Sequence, residues 1–298
     1  MKQKVHLVLG SGGARGIAHI GVIDLLHSLN FEIVSVTGCS MGAVVGGMYC
    51  AGYLDTYKEW LLSLTKSKLF SLFDFTFNTK GFIKGEKVLN KLQEFTGDQN
   101  IEGFATKFTA VATDIINRKE VHYNNGNLYK ALRASIGIPG VFTPVAENDT
   151  FMVDGGVLNP LPVNLVSNIQ PNEKIIAVNL NAAAINKEIE KTEDTQDIHK
   201  SDAWNMFFNF KLSMPTFSKK KETNAPDFTI FDLVNTAYDF TQDRLVELML
   251  QNHPPDILVE IPRNVCGTFD FHKAADLIAI GNKIAAESVE RYFNNTKL

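Results

Sequence analysis

Residues 5–16 have the sequence VHLVLGSGGARG, and this stretch decides the fold. Its first five residues are a short, mainly apolar run with two β-branched valines, which is typical of a buried parallel strand. The glycine-rich run from Gly10 to Gly16 favours neither a strand nor a helix, so we expect a tight loop there. Apolar residues at helical spacing follow over residues 17–29. The stretch therefore predicts a strand, a loop and a helix in succession.

The same pattern recurs further along the chain. Residues 32–37 predict a second strand, residues 38–42 a second turn, and residues 43–51 a helix of small residues. Alternating strands and helices imply right-handed crossovers and a mainly parallel sheet with both faces covered, which is an α/β fold. Further helices are predicted at residues 55–69, 85–95, 128–135, 231–251 and 271–293, and further strands at 108–113, 118–123, 141–146, 151–153, 174–180 and 256–261.

The composition is that of an ordinary globular protein. Apolar residues make up 45% of the 298 residues and charged residues 21%, which leaves ample material for a core. The formal net charge of −4 provides no global basic field, so we expect no nucleic-acid partner. Charged residues become frequent after residue 182. We predict a single domain over residues 1–298, with an insertion or cap at residues 182–225.

Cysteine usage and hydropathy indicate the compartment. Cys39, Cys50 and Cys266 are few, odd in number and without metal-ligand spacing, so we expect reduced thiols in the cytoplasm and no metal site. The first apolar run stops at Gly10, too soon for a secretory leader. No apolar stretch approaches the ~20 residues that a spanning helix needs, so any membrane contact is expected to be peripheral.

A G-x-S-x-G pattern occupies residues 38–42, between a predicted strand and a predicted helix. Gly38 and Gly42 allow a sharp turn, which exposes the Ser40 hydroxyl at its tip. The following helix presents its N-terminus close to this hydroxyl, where developing negative charge is stabilised. The pattern therefore predicts a nucleophile. The structural alternative is a strand–helix turn that simply requires small residues.

The first glycine-rich loop also has two interpretations. A dinucleotide site requires an acidic residue about 20 positions further on, at the end of the second strand, and that strand carries none. An oxyanion hole requires only backbone amides aimed at a carbonyl oxygen. We predict this hole at Gly12, Gly13, Ala14 and Arg15, facing the same site as Ser40. The Arg15 side chain either contacts the anion or stabilises the loop, and both alternatives stay open.

A nucleophilic serine needs a group that accepts its proton. Asp154 directly follows a predicted strand, and Gly155 and Gly156 give its backbone the freedom to aim the carboxylate. The later histidines do not lie on comparable loops, and His19 is expected to pack inside the first helix. A Ser–Asp dyad is chemically sufficient. The alternative for Asp154 is an Asx turn at the end of a hairpin.

Three motifs in this order carry a resemblance to a known family. SGGARG at residues 11–16, GCSMG at 38–42 and DGG at 154–156, with ASIGIPGVF at 134–142 between them, resemble the patatin-like phospholipases, most closely their bacterial branch. The resemblance runs from about residue 5 to residue 180. It is fainter over residues 256–291.

The resemblance implies a three-layer α/β/α sandwich with a mainly parallel central sheet. It implies that Ser40 is the nucleophile, that Asp154 is its dyad partner, and that the amides of Gly12 and Gly13 form the oxyanion hole. The implied activity is hydrolysis of acyl-ester lipids, phospholipids among them, without a metal or cofactor. One departure is Ser11 where the wider family has glycine; the backbone donors survive this change.

An acyl chain must leave water to reach Ser40, so we expect an apolar channel. Residues 70–77 are rich in phenylalanine and are candidates for its lining; core packing is the alternative. Residues 204–210 and the basic residues 219–221 predict either an interfacial cap or a helix packed on the domain. A non-catalytic lipid- or protein-binding module and a general esterase or thioesterase remain alternative functions.

Overall fold

The computed structural model describes residues 2–72, 74–78, 81–184 and 230–295. Most of the predicted insertion, including residues 204–210 and 219–221, lies outside these ranges. The single-domain organisation with an insertion or cap therefore stays a prediction. In the described part of the chain, no helix combines the length and the apolar character that crossing a bilayer requires.

Eight of the described strands form one sheet, in the order β10-β9-β1-β2-β5-β8-β7, with β6 paired to β5. The five strands from β10 to β5 are parallel to one another. β6 and β8 each pair antiparallel with β5, and β7 pairs antiparallel with β8. The strands are β1 Gln3–Leu9, β2 Phe31–Cys39, β5 Lys107–Asp114, β6 Lys119–Tyr123, β7 Val145–Glu147, β8 Thr150–Asp154, β9 Glu173–Ala182 and β10 Ile257–Pro262, and a separate pair consists of β3 Phe75–Asn78 and β4 Gly81–Ile83.

Helices cover both faces of this sheet, as successive residues of β1 show. Leu7 and Leu9 belong to the larger core, which packs against α1, α2 and α8. Val8 points to the opposite face, where it clusters with Leu161 and with Val246 of α7. The helices are α1 Ala18–Ser28, α2 Met41–Cys50, α3 Leu54–Leu62, α4 Lys66–Leu72, α5 Glu86–Thr96, α6 Leu128–Ser135, α7 Ile230–Asn252 and α8 Ala274–Asn295. The predicted α/β class with a mainly parallel, helix-covered sheet is confirmed.

Most predicted elements differ by a few residues at their ends, and three larger differences concern their division, start or type. The helix expected at residues 55–69 is two helices, because Thr65 caps the start of α4 with a hydrogen bond from the Lys68 amide to its hydroxyl (3.3 Å). The strand expected from residue 141 begins at Val145, directly after Pro144, which has no amide hydrogen for a ladder. The glycine loop is partly helical, since Gly13–Ile17 forms a 3₁₀ turn.

Candidate active site

Ser40 is the single residue between β2 and α2, so the turn is sharper than the five-residue turn expected from the sequence. Its φ of 55° and ψ of −123° lie in a region that non-glycine residues rarely adopt. A Cβ at Gly38 would lie 2.5 Å from the carbonyl oxygen of Gly42, and one at Gly42 would lie 2.1 Å from that of Leu9. The two glycines are therefore required by close backbone approach, as the motif predicts.

The backbone of Ser40 is held on both sides. Its carbonyl oxygen accepts a hydrogen bond from the Ala43 amide (2.9 Å) in the first turn of α2. Its amide donates to the hydroxyl of Ser135 (2.9 Å), and this hydroxyl donates to the carbonyl of Val111 (2.6 Å). Ser135 is thus a support for the strained turn that the sequence reasoning did not single out, although it lies in the ASIGIPGVF segment.

Asp154 reaches Ser40 through the register of three strands. Cys39 of β2 pairs with Val111 of β5, and the next residue of β5, Ala112, pairs with Asp154 at the end of β8. The hydroxyl of Ser40 donates to Oδ2 of Asp154 at 2.6 Å, which is a short, charge-assisted hydrogen bond. Both side chains are buried, with 4% of Ser40 and 1% of Asp154 exposed.

The environment of Asp154 tunes its acidity. Burial raises its pKa to about 6, while the hydrogen bonds from the Ser40 hydroxyl and the Gly156 amide (2.7 Å) act in the opposite direction. The thiol of Cys39 lies 4.0 Å from the other carboxylate oxygen, and burial raises the pKa of this thiol, which keeps it neutral. Above about pH 6, Asp154 is therefore an ionised proton acceptor in a water-poor site.

The glycine-rich loop leaves two amides free. The amides of Gly10 and Ser11 donate to the carbonyls of Val178 (3.0 Å) and Pro160 (2.9 Å). In the described part of the chain, the amides of Gly12 and Gly13 donate to no protein acceptor. Gly13 has a φ of 57°, and it lines the same cavity as Ser40. These two amides remain the candidates for the oxyanion hole.

The other two residues of the predicted oxyanion hole have protein partners in the structure. The amide of Ala14 donates to the carbonyl of Thr268 (2.9 Å), so it is already occupied. The guanidinium of Arg15 donates to the carbonyl of Leu180 and to the side chain of Asn181, both at 3.0 Å. Arg15 therefore fastens the loop to the end of β9. These two oxygens accept hydrogen bonds from a partly buried cation whose pKa is lowered by desolvation.

Ser40 opens into an apolar cavity of about 850 Å³, its mouth included. Part of its wall comes from α3, α4 and α5, through Tyr57, Trp60, Leu61, Leu69, Leu72, Val88, Leu89 and Leu92, and the rest comes from α2, β4 and loops such as residues 136–142 and 268–271. Of the phenylalanine-rich segment proposed as lining, Leu72 lines the cavity, whereas Phe70 does not and is half exposed. The side chains of Phe73, Phe75 and Phe77 lie outside the described residues.

The described histidines do not contact the dyad. His19 is fully buried in α1, donates from Nε2 to the carbonyl of Gly10 (3.0 Å), and has a pKa lowered to about 4 by desolvation. It therefore holds the glycine loop as a neutral packing residue. His122 pairs with Glu120 on the surface strand β6. His199 lies outside the described residues.

The family follows from comparison with known proteins. Residues 7–166 match the family model described as patatin-like phospholipase, so the chain belongs to the patatin-like phospholipase family. The matched range contains Ser40, Asp154 and the glycine-rich loop. The resemblance noted in the sequence is confirmed, and family membership supports lipid hydrolysis as the class of activity.

Individual relatives extend the similarity over nearly the whole chain. An uncharacterised NTE family protein of Mycobacterium tuberculosis (strain H37Rv) is 32% identical over 97% of this chain and 92% of its own length. The lysophospholipase NTE1 of Yarrowia lipolytica is 27% identical over 94% of this chain, which corresponds to 19% of that protein. The crystal structure of VipD from Legionella pneumophila aligns with a TM-score of 0.47 and 12% identity, covering 98% of this chain and 67% of that one.

Proposed function

We propose that this protein is a serine lipid acyl hydrolase of the phospholipase A or lysophospholipase type, acting through a Ser40–Asp154 dyad and an acyl-enzyme intermediate. The observation that carries the proposal is the 2.6 Å hydrogen bond to Asp154 from the hydroxyl of Ser40, which lines the apolar cavity. The cavity argues against a purely structural turn, because a turn that only needs small residues has no use for an acyl-sized space beside its serine.

In the proposed first half-reaction, Oγ of Ser40 attacks the carbonyl carbon of the ester while its proton passes to Asp154. The carbonyl oxygen becomes an oxyanion, which the amides of Gly12 and Gly13 stabilise. The tetrahedral intermediate then collapses, the bond to the leaving alcohol breaks, and Asp154 returns the proton to that alcohol. The fatty-acyl group remains as an ester on Ser40.

In the second half-reaction, water attacks the acyl-enzyme and transfers a proton to Asp154. The new oxyanion occupies the same pair of amides, and its collapse releases a fatty acid while Asp154 reprotonates Ser40. Burial of Asp154 supports this role, because a pKa of about 6 makes the carboxylate a stronger base than a solvated one while it is still ionised at neutral pH.

The cavity also bears on the substrate. Its lining is almost entirely apolar, and burying a chain there gains about 0.8 kcal/mol per methylene. We therefore propose an ester with one long acyl chain, such as a lysophospholipid, as the preferred substrate class. The name of the Yarrowia lipolytica relative, a lysophospholipase, points in the same direction.

Contact with a lipid surface and a cytoplasmic location are parts of the same proposal. A substrate with one long chain gathers in membranes and micelles, so the protein is expected to bind such surfaces peripherally. The three described cysteines are free, which fits a reducing compartment. Cosedimentation with phosphatidylcholine vesicles and fractionation of the producing cells test these two points.

The function is tested by incubating the wild-type protein and the S40A variant with lysophosphatidylcholine, diacyl phosphatidylcholine, a short soluble ester and a thioester, and measuring released fatty acid. We expect the highest kcat/KM for the monoacyl lipid and no turnover above background for S40A. A preference for the short ester or the thioester would favour a general esterase or thioesterase. Binding of lipid without any release of acid would favour a binding module and contradict the proposal.

A further inference from the structure

Gln242 of α7 lies behind the turn that carries Asp154. It is 6% exposed, and its side-chain amide donates two hydrogen bonds: one to the carbonyl of Gly156 (3.2 Å) and one to the hydroxyl of Tyr238 (2.9 Å). α7 lies on the opposite face of the sheet from α2. Gln242 therefore approaches the turn that carries Asp154 from the face opposite to α2.

The contact depends on the absence of a side chain at Gly156. A Cβ there would lie 2.2 Å from Nε2 of Gln242 and 3.0 Å from Oδ1 of Asp154. The amide of Gly156 donates to that same Oδ1 at 2.7 Å. Both backbone polar groups of Gly156 are thus hydrogen-bonded: its carbonyl accepts from Gln242, and its amide donates to Asp154.

We propose that Gln242 is a positioning residue for Asp154: by holding the carbonyl of Gly156, it keeps the Gly156 amide on Oδ1 and so leaves Oδ2 facing the Ser40 hydroxyl. The inference rests on the proposed function, in which Asp154 is the base. Gln242 does not line the cavity at Ser40, so it acts on the dyad and not on the bound acyl chain.

Among the residues that the structure describes, the titratable groups closest to Asp154 are few and neutral, which makes a change at Gln242 measurable. Cys39 approaches from β2 and Tyr238 from α7, and burial raises the pKa of both well above their ordinary values. Glu120 of β6 is the more distant charge that acts on Cys39. A carboxylate placed at position 242 would therefore be a new charge close to Asp154.

The test uses Q242M, which keeps the volume but removes the donor, and Q242E, which also adds a charge. Matched controls are Q251M and Q251E, because Gln251 lies on the same helix, is exposed and pairs with Glu247. The pKa of Asp154 is measured from the ¹³C chemical shift of its carboxyl carbon, and D154N assigns the signal. This readout does not depend on turnover.

We expect the pKa of Asp154 to rise in Q242M, because the hydrogen bond that favours the ionised form weakens, and to rise further in Q242E, by on the order of one unit. In the hydrolysis assay, kcat should fall about 10- to 100-fold in both variants, since a small misplacement of a catalytic group has effects of that size. KM should stay within about twofold, because the cavity is untouched.

Unchanged pKa and kcat in both Gln242 variants, or equal changes in the Gln251 controls, would overturn the inference. If Q242M does not fold, Q242E and Q242N, whose shorter amide does not reach the Gly156 carbonyl, decide the question. If the wild-type protein hydrolyses no ester, the proposed function fails, and the titration of Asp154 still decides whether Gln242 positions it.

Discussion

Two serines, Ser35 within strand β2 and Ser40 directly after it, each belong to a hydrogen-bonded array with a carboxylate, and the arrays differ in an instructive way. Ser40 contacts Asp154 directly at 2.6 Å. Within β2, the Ser35 hydroxyl lies 2.7 Å from Nδ1 of His6, whose Nε2 lies 2.9 Å from Glu173. By side-chain chemistry alone, the second array has the more familiar order of a catalytic triad.

The backbone and the surroundings separate the two arrays. Ser35 lies inside β2 and is paired on both sides, with His6 of β1 and Lys107 of β5. It does not line the cavity beside Ser40. Ser40, by contrast, sits at a helix N-terminus with a positive φ, facing that cavity. The proposal of Ser40 as the nucleophile therefore depends less on its hydrogen-bonded partner than on the sharp turn, the free amide donors and the space for a substrate.

The arrays also use their carboxylates differently. Glu173 accepts a hydrogen bond from the Gln170 amide (3.0 Å) and one from His6, and these bonds lower its pKa. Burial of Asp154 raises its pKa to about 6. The Glu173 array thus stabilises the packing of β1, β2 and β9 against one another. Burial destabilises the ionised form of Asp154, which lowers the stability of the folded protein but makes the carboxylate better suited to proton transfer.

The largest expected difference is in turnover. D154N should lower kcat by at least about 10³-fold, because an amide cannot accept the proton of the attacking hydroxyl. E173Q should change kcat by less than about threefold, since Glu173 only joins strands. Steady-state hydrolysis of lysophosphatidylcholine, with folding checked by circular dichroism, measures both. A severe loss in E173Q with a native spectrum would reverse the comparison.

The pH profile sharpens the same contrast. Asp154 must be ionised to accept a proton, so kcat/KM should fall about tenfold per pH unit below its pKa of about 6 and be level above it. Histidine side chains in general titrate in a similar range, so the profile is repeated in H6Q. The fall of kcat/KM at acidic pH should persist in H6Q. Its disappearance in that variant would assign the titration to the Ser35–His6–Glu173 array and contradict the prediction.

Some parts of the candidate site can be predicted from the sequence and others cannot. The glycines around Ser40 and Asp154 are visible in the sequence because close backbone approach excludes side chains there, and this requirement is local. The roles of Ser135 and Arg15 are not visible, because they depend on strand register and on the end of β9. A hydroxyl or a guanidinium is compatible with many contacts until distant strands are aligned.

The fold likewise has elements that the sequence predicts and elements that it does not. The β-loop-α units and the hairpin around Asn148 follow from periodicity and turn residues, and they are confirmed. The division into α3 and α4 is missed because the apolar spacing continues through it, although α3 ends at Leu62 and Thr65 caps the start of α4. The cavity could be expected from the chemistry, but its walls come from several helices and loops whose packing no local pattern specifies.

The smallest expected difference is in stability. A carboxyl whose pKa is raised on folding stabilises the protein below its unfolded pKa of about 4, and this stabilisation is lost as the pH rises through about 6. At pH 8, D154N should therefore be more stable than the wild type, by roughly 1 to 3 kcal/mol. For Glu173, whose pKa is lowered, the stabilisation is present at pH 8, so E173Q should be less stable there.

Urea unfolding of both variants at pH 8 and pH 4.5 measures these changes. The gain in D154N should shrink at pH 4.5, where Asp154 is protonated in the folded protein. The loss in E173Q should also shrink as the pH falls towards the pKa of Glu173. Destabilisation of both variants by similar amounts at pH 8 would mean that both ionised carboxylates stabilise the folded protein, which contradicts the prediction for Asp154.

Covalent labelling tests the central claim most directly. Ser35 and Ser40 lie on the same tryptic peptide, since no lysine or arginine separates Arg15 from Lys58, so the modified residue must be located by fragmentation and by variants. After reaction of the folded protein with a fluorophosphonate at pH 8, we expect one adduct on Ser40, which is absent in S40A and retained in S35A. An adduct on Ser35, or none on folded protein that hydrolyses lipid, would contradict the account.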